Sequence, residues 1–292
     1  MSSSNLPDFN KLWNFSKPAE TEIKFRETLA EVEVNADLDY ILQLKTQIAR
    51  AEGLQRKFDE AHKTLDTVEI ALDATTPVAE IRYNLERGRV FNSSKQKDKA
   101  IWYFRKAFNL ADAAKQEDFA VDAAHMVAIA EPTAEAQMQW NLKAVALAES
   151  ATEQKAKDWL GSLYNNIGWT YHDSGQFIEA LEIFKKALAF RETKGDASTI
   201  RIAKWCIART HRSLNNLAEA LVIQKSLEKE FNAQPQQDGY NYEELAEIYL
   251  KLNFKEESKK YFALAFNELN KDEWFKSNEA VRLARIKELS FT

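Results

Sequence analysis

The side chains best able to do chemistry in this 292-residue sequence are four histidines, His62, His125, His172 and His211, and one cysteine, Cys206. A helical zinc site needs two histidines three or four residues apart, so that both face the same way. No two of these histidines are that close. His172 is followed by Asp173, which puts an acid beside a base. Neighbouring residues on a helix point about a third of a turn apart, so that pair is poorly placed to work together. A histidine at a helix end beside a loop is the simpler reading. Cys206 lies within IRIAKWCIART and reads as a buried, inert thiol rather than a nucleophile. The seven glycines form no G-x-G-x-x-G, no phosphate loop and no G-x-S-x-G elbow. Carboxylate pairs are plentiful, but on amphipathic helices they describe a solvated face. No catalytic set, metal or cofactor is expected, and the chain reads as non-enzymatic.

Composition narrows the remaining classes. A single cysteine excludes an intrachain disulfide and a multi-cysteine metal cluster. The net charge of −5 argues against a nucleic-acid footprint over the whole surface. MSSSNLPDFN lacks a basic region followed by an apolar core, so no secretory signal is read there. No run of 18 apolar residues is present to span a membrane, and a cytoplasmic location is expected. Seven Gly and five Pro in this length leave few breaks, which favours long helices and no sheet.

The elements that position these residues show in a recurring pattern. In Gly161–Lys194, Tyr164, Ile167, Gly168, Tyr171, Ala180, Phe184 and Ala187 fall on the W-x₂-L-G-x₂-Y…A-x₃-F spacing. Small residues such as Gly168 and Ala180 suit a close crossing of two antiparallel helices, and Tyr171 and Phe184 fill the faces around it. About eighty positions earlier, Gly88, Phe91, Ala100, Phe104 and Ala107 repeat the set. The stretch resembles a tetratricopeptide repeat, and Leu42 to Leu269 resembles the long-repeat members of that family, with units of about forty residues. The resemblance implies an all-α, TPR-like α-solenoid, a right-handed superhelix of helical hairpins. Six units are expected over 42–270, starting near 42, 81, 117, 161, 201 and 239, with capping helices at 1–41 and 271–292, in one continuous domain.

Local chemistry fits that scheme with two exceptions. Gly175, Asn215 and Asn253 stand where the loop inside a hairpin needs a left-handed residue. Arg56 and Lys95 stand at the same place, so those two loops are expected to differ. Glu131-Pro132 is expected to end the first helix of the third unit. The spacing above thirty-four residues is expected to lengthen helices, as in the proline-free Thr152–His172. Phe9, Leu12, Trp13 and Phe15 are expected to seal the first repeat. At the far end Ala280, Leu283, Ile286 and Leu289 form one apolar stripe.

In the family the first helix of each unit lines the concave side, with positions 4, 7, 8 and 11 turned inward. Positions 2, 5, 9 and 12 then share the other, groove-facing stripe. Position 9 reads Arg50, Arg89, His125, Trp169, Arg209 and Glu247 along the six units. Position 5 contributes Asn165 and Trp205, position 12 His172 and Arg212, and position 2 Arg82 and Tyr240. Arginine and tryptophan dominate interface energetics, and arginine can fork onto a carboxylate. Arg50, Arg89, His125, Asn165, Trp169, His172, Trp205, Arg209 and Arg212 are therefore the candidate partner-binding residues, set against an acidic whole. The expected partner is a protein or peptide segment, acidic in character, with no nucleic acid and no membrane. The alternative is a sensor that binds a small anionic ligand or peptide in the same groove. Reversing Arg89 or Arg209 is expected to weaken binding and spare the melting temperature. Thr46 and Leu85 stand where a carboxylate-clamp lysine would be, so that clamp is not implied.

Overall fold

The computed structural model describes residues 6–32, 36–233 and 237–291. The MSSSN segment at 1–5 and residues 33–35 of the first capping stretch lie outside them. Helix dominates, and no strand occurs among the described residues. The chain divides into two compact units, Met1–Leu163 and Tyr164–Thr292, and each is described by itself.

In the first unit a 3₁₀ turn (Phe9–Leu12) precedes α1 (Pro18–Val32), followed by α2 (Leu38–Leu54) and α3 (Phe58–Ala71). Two more hairpins come next, α4 (Pro77–Ser93) with α5 (Lys97–Ala113) and α6 (Glu117–Ala130) with α7 (Ala134–Ser150). The short α8 (Gln154–Lys157) follows. Each hairpin buries the apolar stripe of its second helix against the first: Ala61, Leu65 and Val68 of α3 join Leu42 and Ala49 of α2 in one cluster. Phe9 and Phe25 cover Leu44 and Ile48 of α2, which closes the exposed end of the first hairpin. Phe15, expected to help seal it, stays largely exposed and stacks on Trp13 at 4.6 Å.

α9 (Leu160–Asp173) and α10 (Phe177–Lys194) form the next hairpin, followed by α11 (Ala197–Ser213) with α12 (Leu217–Asn232). α13 (Gly239–Lys251) pairs with α14 (Lys255–Leu269), and α15 (Glu273–Asn278) and α16 (Ala280–Leu289) close the second unit. In α16, Leu283 and Ile286 are buried against the α13/α14 core, while Ala280 is exposed. Asp196, Asp238 and Asp272 start three of these helices by accepting hydrogen bonds from free backbone N–H groups. The close crossing expected at Gly168 is present. A Cβ there would come within 2.6 Å of Phe184 Cδ1, and one at Gly88 within 2.6 Å of Phe104 Cδ1. Ala180 and Phe184 are fully buried.

Two local expectations are corrected. Arg56 and Lys95 do adopt the left-handed conformation, with φ of 63° and 64°, as Gly175, Asn215 and Asn253 do. The same backbone bond closes all five loops: Lys57 N–H donates to Glu52 O, Gln96 to Phe91, Gln176 to Tyr171, Asn216 to His211 and Phe254 to Tyr249. Packing of the hairpins fixes the turn, and it overrides a local cost of about 1–2 kcal/mol at a side-chain-bearing residue. The expected long helix Thr152–His172 is instead broken between α8 and α9. Glu117 Oε2 accepts from the N–H groups of Thr152 and Glu153 at 2.8 Å, and Trp159 Nε1 donates to Asp118 Oδ1 at 2.8 Å. These bonds turn the chain where propensity alone would have continued it.

Candidate functional site

The first helices of the hairpins carry all nine candidate residues. Arg50, Arg89 and His125 come together in the first unit, on α2, α4 and α6. Asn165, Trp169 and His172 on α9 stand with Trp205, Arg209 and Arg212 on α11 in the second.

In the first unit the arginines cross from one hairpin to the next. Arg89 forks onto Asp122 of α6, with Nη2 at 2.5 and 2.6 Å from the two carboxylate oxygens, and its Nη1 donates to Glu86 Oε1 at 2.7 Å. Arg50 reaches the same Glu86 oxygen at 3.4 Å, and Gln47 Nε2 shares it. Glu86 Oε2 is buried and accepts no hydrogen bond from the described residues. Burial would raise the Asp122 carboxyl, but Arg89 and Arg50 beside it hold it below the usual carboxylate range. Burial and the repulsion of Arg89 lower the Arg50 guanidinium. His125 is buried and lies 5.4 Å from the Trp159 ring; desolvation pushes its imidazole down to about 4.

A cleft of about 400 Å³ opens on this face. Arg50 stands over Trp13 and Phe15, with Cζ 5.5 and 5.3 Å from the ring centroids. Across the cleft Arg82 lies 4.9 Å from the Phe119 ring and 5.3 Å from that of Phe9. The cleft therefore offers cations on aromatic walls, with the carboxylates of Asp118 and Asp122 behind them.

The second unit uses the same stripe differently. Trp169 lies 5.4 Å from Phe184, 4.9 Å from His172 and 6.1 Å from Trp205, and both tryptophans are half-buried. Trp205 Nε1 donates to Tyr240 O at 3.3 Å, and Tyr240 packs on Phe275. Asn165 Oδ1 faces the buried Cys206 thiol at 3.6 Å, and burial pushes that thiol up to about 12. Arg212 forks onto Glu244 at 2.7 and 2.9 Å, and Arg209 reaches the same carboxylate at 3.2 Å. His172 is held between Asp173 at 3.5 Å and Ser213 Oγ at 3.0 Å, a structural position at two helix ends. Burial and nearby Arg209 lower its imidazole.

The sequence reading takes Arg89, Arg209 and Arg212 as cations free to meet a ligand. In the structure each already has an internal carboxylate, so reversing Arg89 would break a buried network rather than spare the melting temperature. The missed partners sit at position 6 of the units: Gln47, Glu86, Asp122, Asn166, Cys206 and Glu244. An arginine at position 9 reaches the carboxylate at position 6 of the following unit, as Arg50 does to Glu86, Arg89 to Asp122 and Arg209 to Glu244. Reading that column beside position 9 would have found them. Among the described residues no group of His, Cys, Asp and Glu could hold a metal ion, and no helix is long and apolar enough to cross a membrane.

Known proteins share the repeat and the fold. Residues 160–194 match the tetratricopeptide repeat family model. No curated protein matches the sequence. Among solved structures, the apo form of RapI superposes with a TM-score of 0.73 at 14% identity, covering 97% of this chain and 81% of that one. NprR in complex with its cognate peptide NprX gives 0.61 at 17% identity, covering 100% and 85%. A tetratricopeptide repeat protein from Parabacteroides merdae gives 0.57 at 14% identity, covering 97% of each chain. By fold the protein is a TPR-like α-solenoid. Its repeats are of the long type, since the hairpins begin at Leu38, Pro77, Glu117, Leu160, Ala197 and Gly239, about forty residues apart.

Proposed function

We propose that the chain is a non-enzymatic scaffold that binds an extended peptide segment of a partner protein along the first-helix faces of its repeats. The observation that carries this reading is the cleft of the first unit, where Arg50 and Arg82 stand against aromatic rings. Such a surface offers hydrogen bonds and stacking together, the chemistry that dominates peptide interfaces. NprR, which shares the fold, was solved with its cognate peptide bound, and this supports the same use here. The six units between 42 and 270 carry the binding face in this reading, the segments 1–41 and 271–292 cap them, and the protein works in the cytoplasm. In the second unit Trp169, Trp205 and the Arg209/Arg212 pair offer a face of their own. The segment bound is acidic, because Arg50 and Arg82 are the least neutralised charges of the cleft.

Selection of a displayed library of ten-residue peptides on the purified chain tests the reading. Enrichment of acidic sequences that lose affinity to Arg50→Glu is the expected result. No enrichment, or enriched peptides indifferent to Arg50→Glu, would contradict it.

A further inference from the structure

Arg82 is the residue of the first unit whose charge is least accounted for. Its side chain is only 7% exposed. Its hydrogen-bond partners are neutral amides: Nε donates to Gln43 Oε1 at 3.1 Å and Nη2 to Asn10 Oδ1 at 2.9 Å. Its third nitrogen, Nη1, makes no hydrogen bond to the described residues. No carboxylate among the described residues lies within salt-bridge distance of it. A buried guanidinium with no counter-ion is costly, and proteins normally pair it.

The buried carboxylates nearby are each taken by another cation. Asp122 is occupied by Arg89 through both oxygens, and Asp118 takes Lys155 at 2.5 Å together with the Trp159 N–H. Glu86 is divided between Arg89 and the distant Arg50. Asp158, at the rim, is exposed and accepts from Gln154. With Asp158 counted, four cations (Arg50, Arg82, Arg89 and Lys155) meet four carboxylates, and among the described residues Arg82 is the cation of the cleft whose hydrogen bonds all go to neutral groups. Arg50 faces the same space with a single 3.4 Å bond and two of its three nitrogens unused.

We propose that this cleft holds one carboxylate between Arg82 and Arg50, presented by a bound peptide as its C-terminus or as an acidic side chain, with an apolar flank against the aromatic walls. The proposal rests on the peptide-binding reading and adds its anchor. Gln43 and Asn10 fix the guanidinium plane in advance, so that little side-chain entropy is lost on binding. The Phe9 and Phe119 rings beside Arg82 lower the local dielectric and strengthen the charge pairing. Arg89 is a scaffold residue in this scheme, since its fork is already filled.

Two probes test it on the full chain. N-acetylphenylalanine carries a carboxylate beside an apolar ring, and N-acetylphenylalaninamide lacks the charge. The acid should quench or shift the fluorescence of the wild-type protein and raise its melting temperature, whereas the amide should do neither. Arg82→Met keeps the aliphatic stack and should abolish the response; Arg82→Lys should keep part of it. Arg50→Met, on a different helix, guards against misfolding of the Arg82 variants and should also weaken the response to the acid. Peptides from the displayed library should then lose roughly thirtyfold or more in affinity to Arg82→Met. Amidating their C-termini or replacing Asp and Glu by Asn and Gln shows which carboxylate is used. Equal responses to acid and amide, or acid binding that survives Arg82→Met, would overturn the anchor. Peptides that bind regardless of charge would overturn it as well and leave peptide binding standing. Failure of every peptide beside an intact acid response would instead sink the peptide reading.

Discussion

In the first unit Arg89, at position 9 of its repeat, crosses to Asp122 at position 6 of the next; in the second unit the same two positions hold Trp169 and Cys206. One rung is a buried ion pair, and the other is a half-buried indole packed in the cluster that contains the buried thiol. The backbone frame is common to both, since Gly88 against Phe104 and Gly168 against Phe184 set the same close crossing. Identical geometry therefore fixes which residues meet, and their types decide what the rung is made of. The first unit gains a polar, charge-balanced wall beside its cleft. The second gains an aromatic series, Trp169, Trp205, Tyr240 and Phe275, with arginines gathered on Glu244 at its edge.

The sharpest way to break this contrast is to remove half of the ionic rung and the ring that backs the aromatic one. Asp122→Ala leaves Arg89 buried with only the shared Glu86 and should cost about 3–5 kcal/mol of stability, read from denaturant unfolding. Replacing both partners by apolar residues, Arg89→Met with Asp122→Leu, should recover most of that loss, because the desolvation of both charges disappears together. A double variant as unstable as the single would show that the pair is not the unit of the interaction. In the second unit, Phe184→Ala removes the ring that supports both Gly168 and Trp169 and should also cost about 3–5 kcal/mol.

A smaller effect is the acid sensitivity contributed by His125 of the first unit. His125 has its folded-state value pushed down to about 4 from an ordinary 6.5. Between those values the unfolded chain binds a proton that the folded chain refuses, so stability is full above about pH 6.5 and falls as pH drops toward 4. The loss should be on the order of 2–3 kcal/mol, and His125→Gln should flatten that part of the stability profile. An unchanged profile in the variant would place the acid sensitivity elsewhere. Smallest of all, Lys95→Gly relieves a left-handed residue and should stabilise the first unit by roughly 0.5–1 kcal/mol, visible as a higher melting temperature.

The repeat itself was legible because it rests on residue size: Gly168, Ala180 and Phe184 can be recognised from spacing alone. The hairpin loops were legible only where glycine or asparagine marked them, since Arg56 and Lys95 take the same conformation under tertiary constraint. The break before α9 depends on Glu117 and Asp118 reaching across 35 and 41 residues, which no local pattern reveals. For the site, the arginines of position 9 stood out by type, but their neutralisation by position 6 requires pairing one unit with the next. Arg82 was visible as a groove residue. Its isolation was not, because that depends on Asn10, a residue of the N-terminal cap outside any repeat arithmetic.

The division of labour between a structural rung and a recognition anchor can be measured with a single peptide taken from the library selection. Its dissociation constant would be determined for the wild type, for Arg82→Met, and for the paired Arg89→Met/Asp122→Leu variant. The account predicts that the paired variant binds within about threefold of wild type, while Arg82→Met loses roughly thirtyfold or more. Loss of binding in the paired variant together with unchanged binding in Arg82→Met would contradict it.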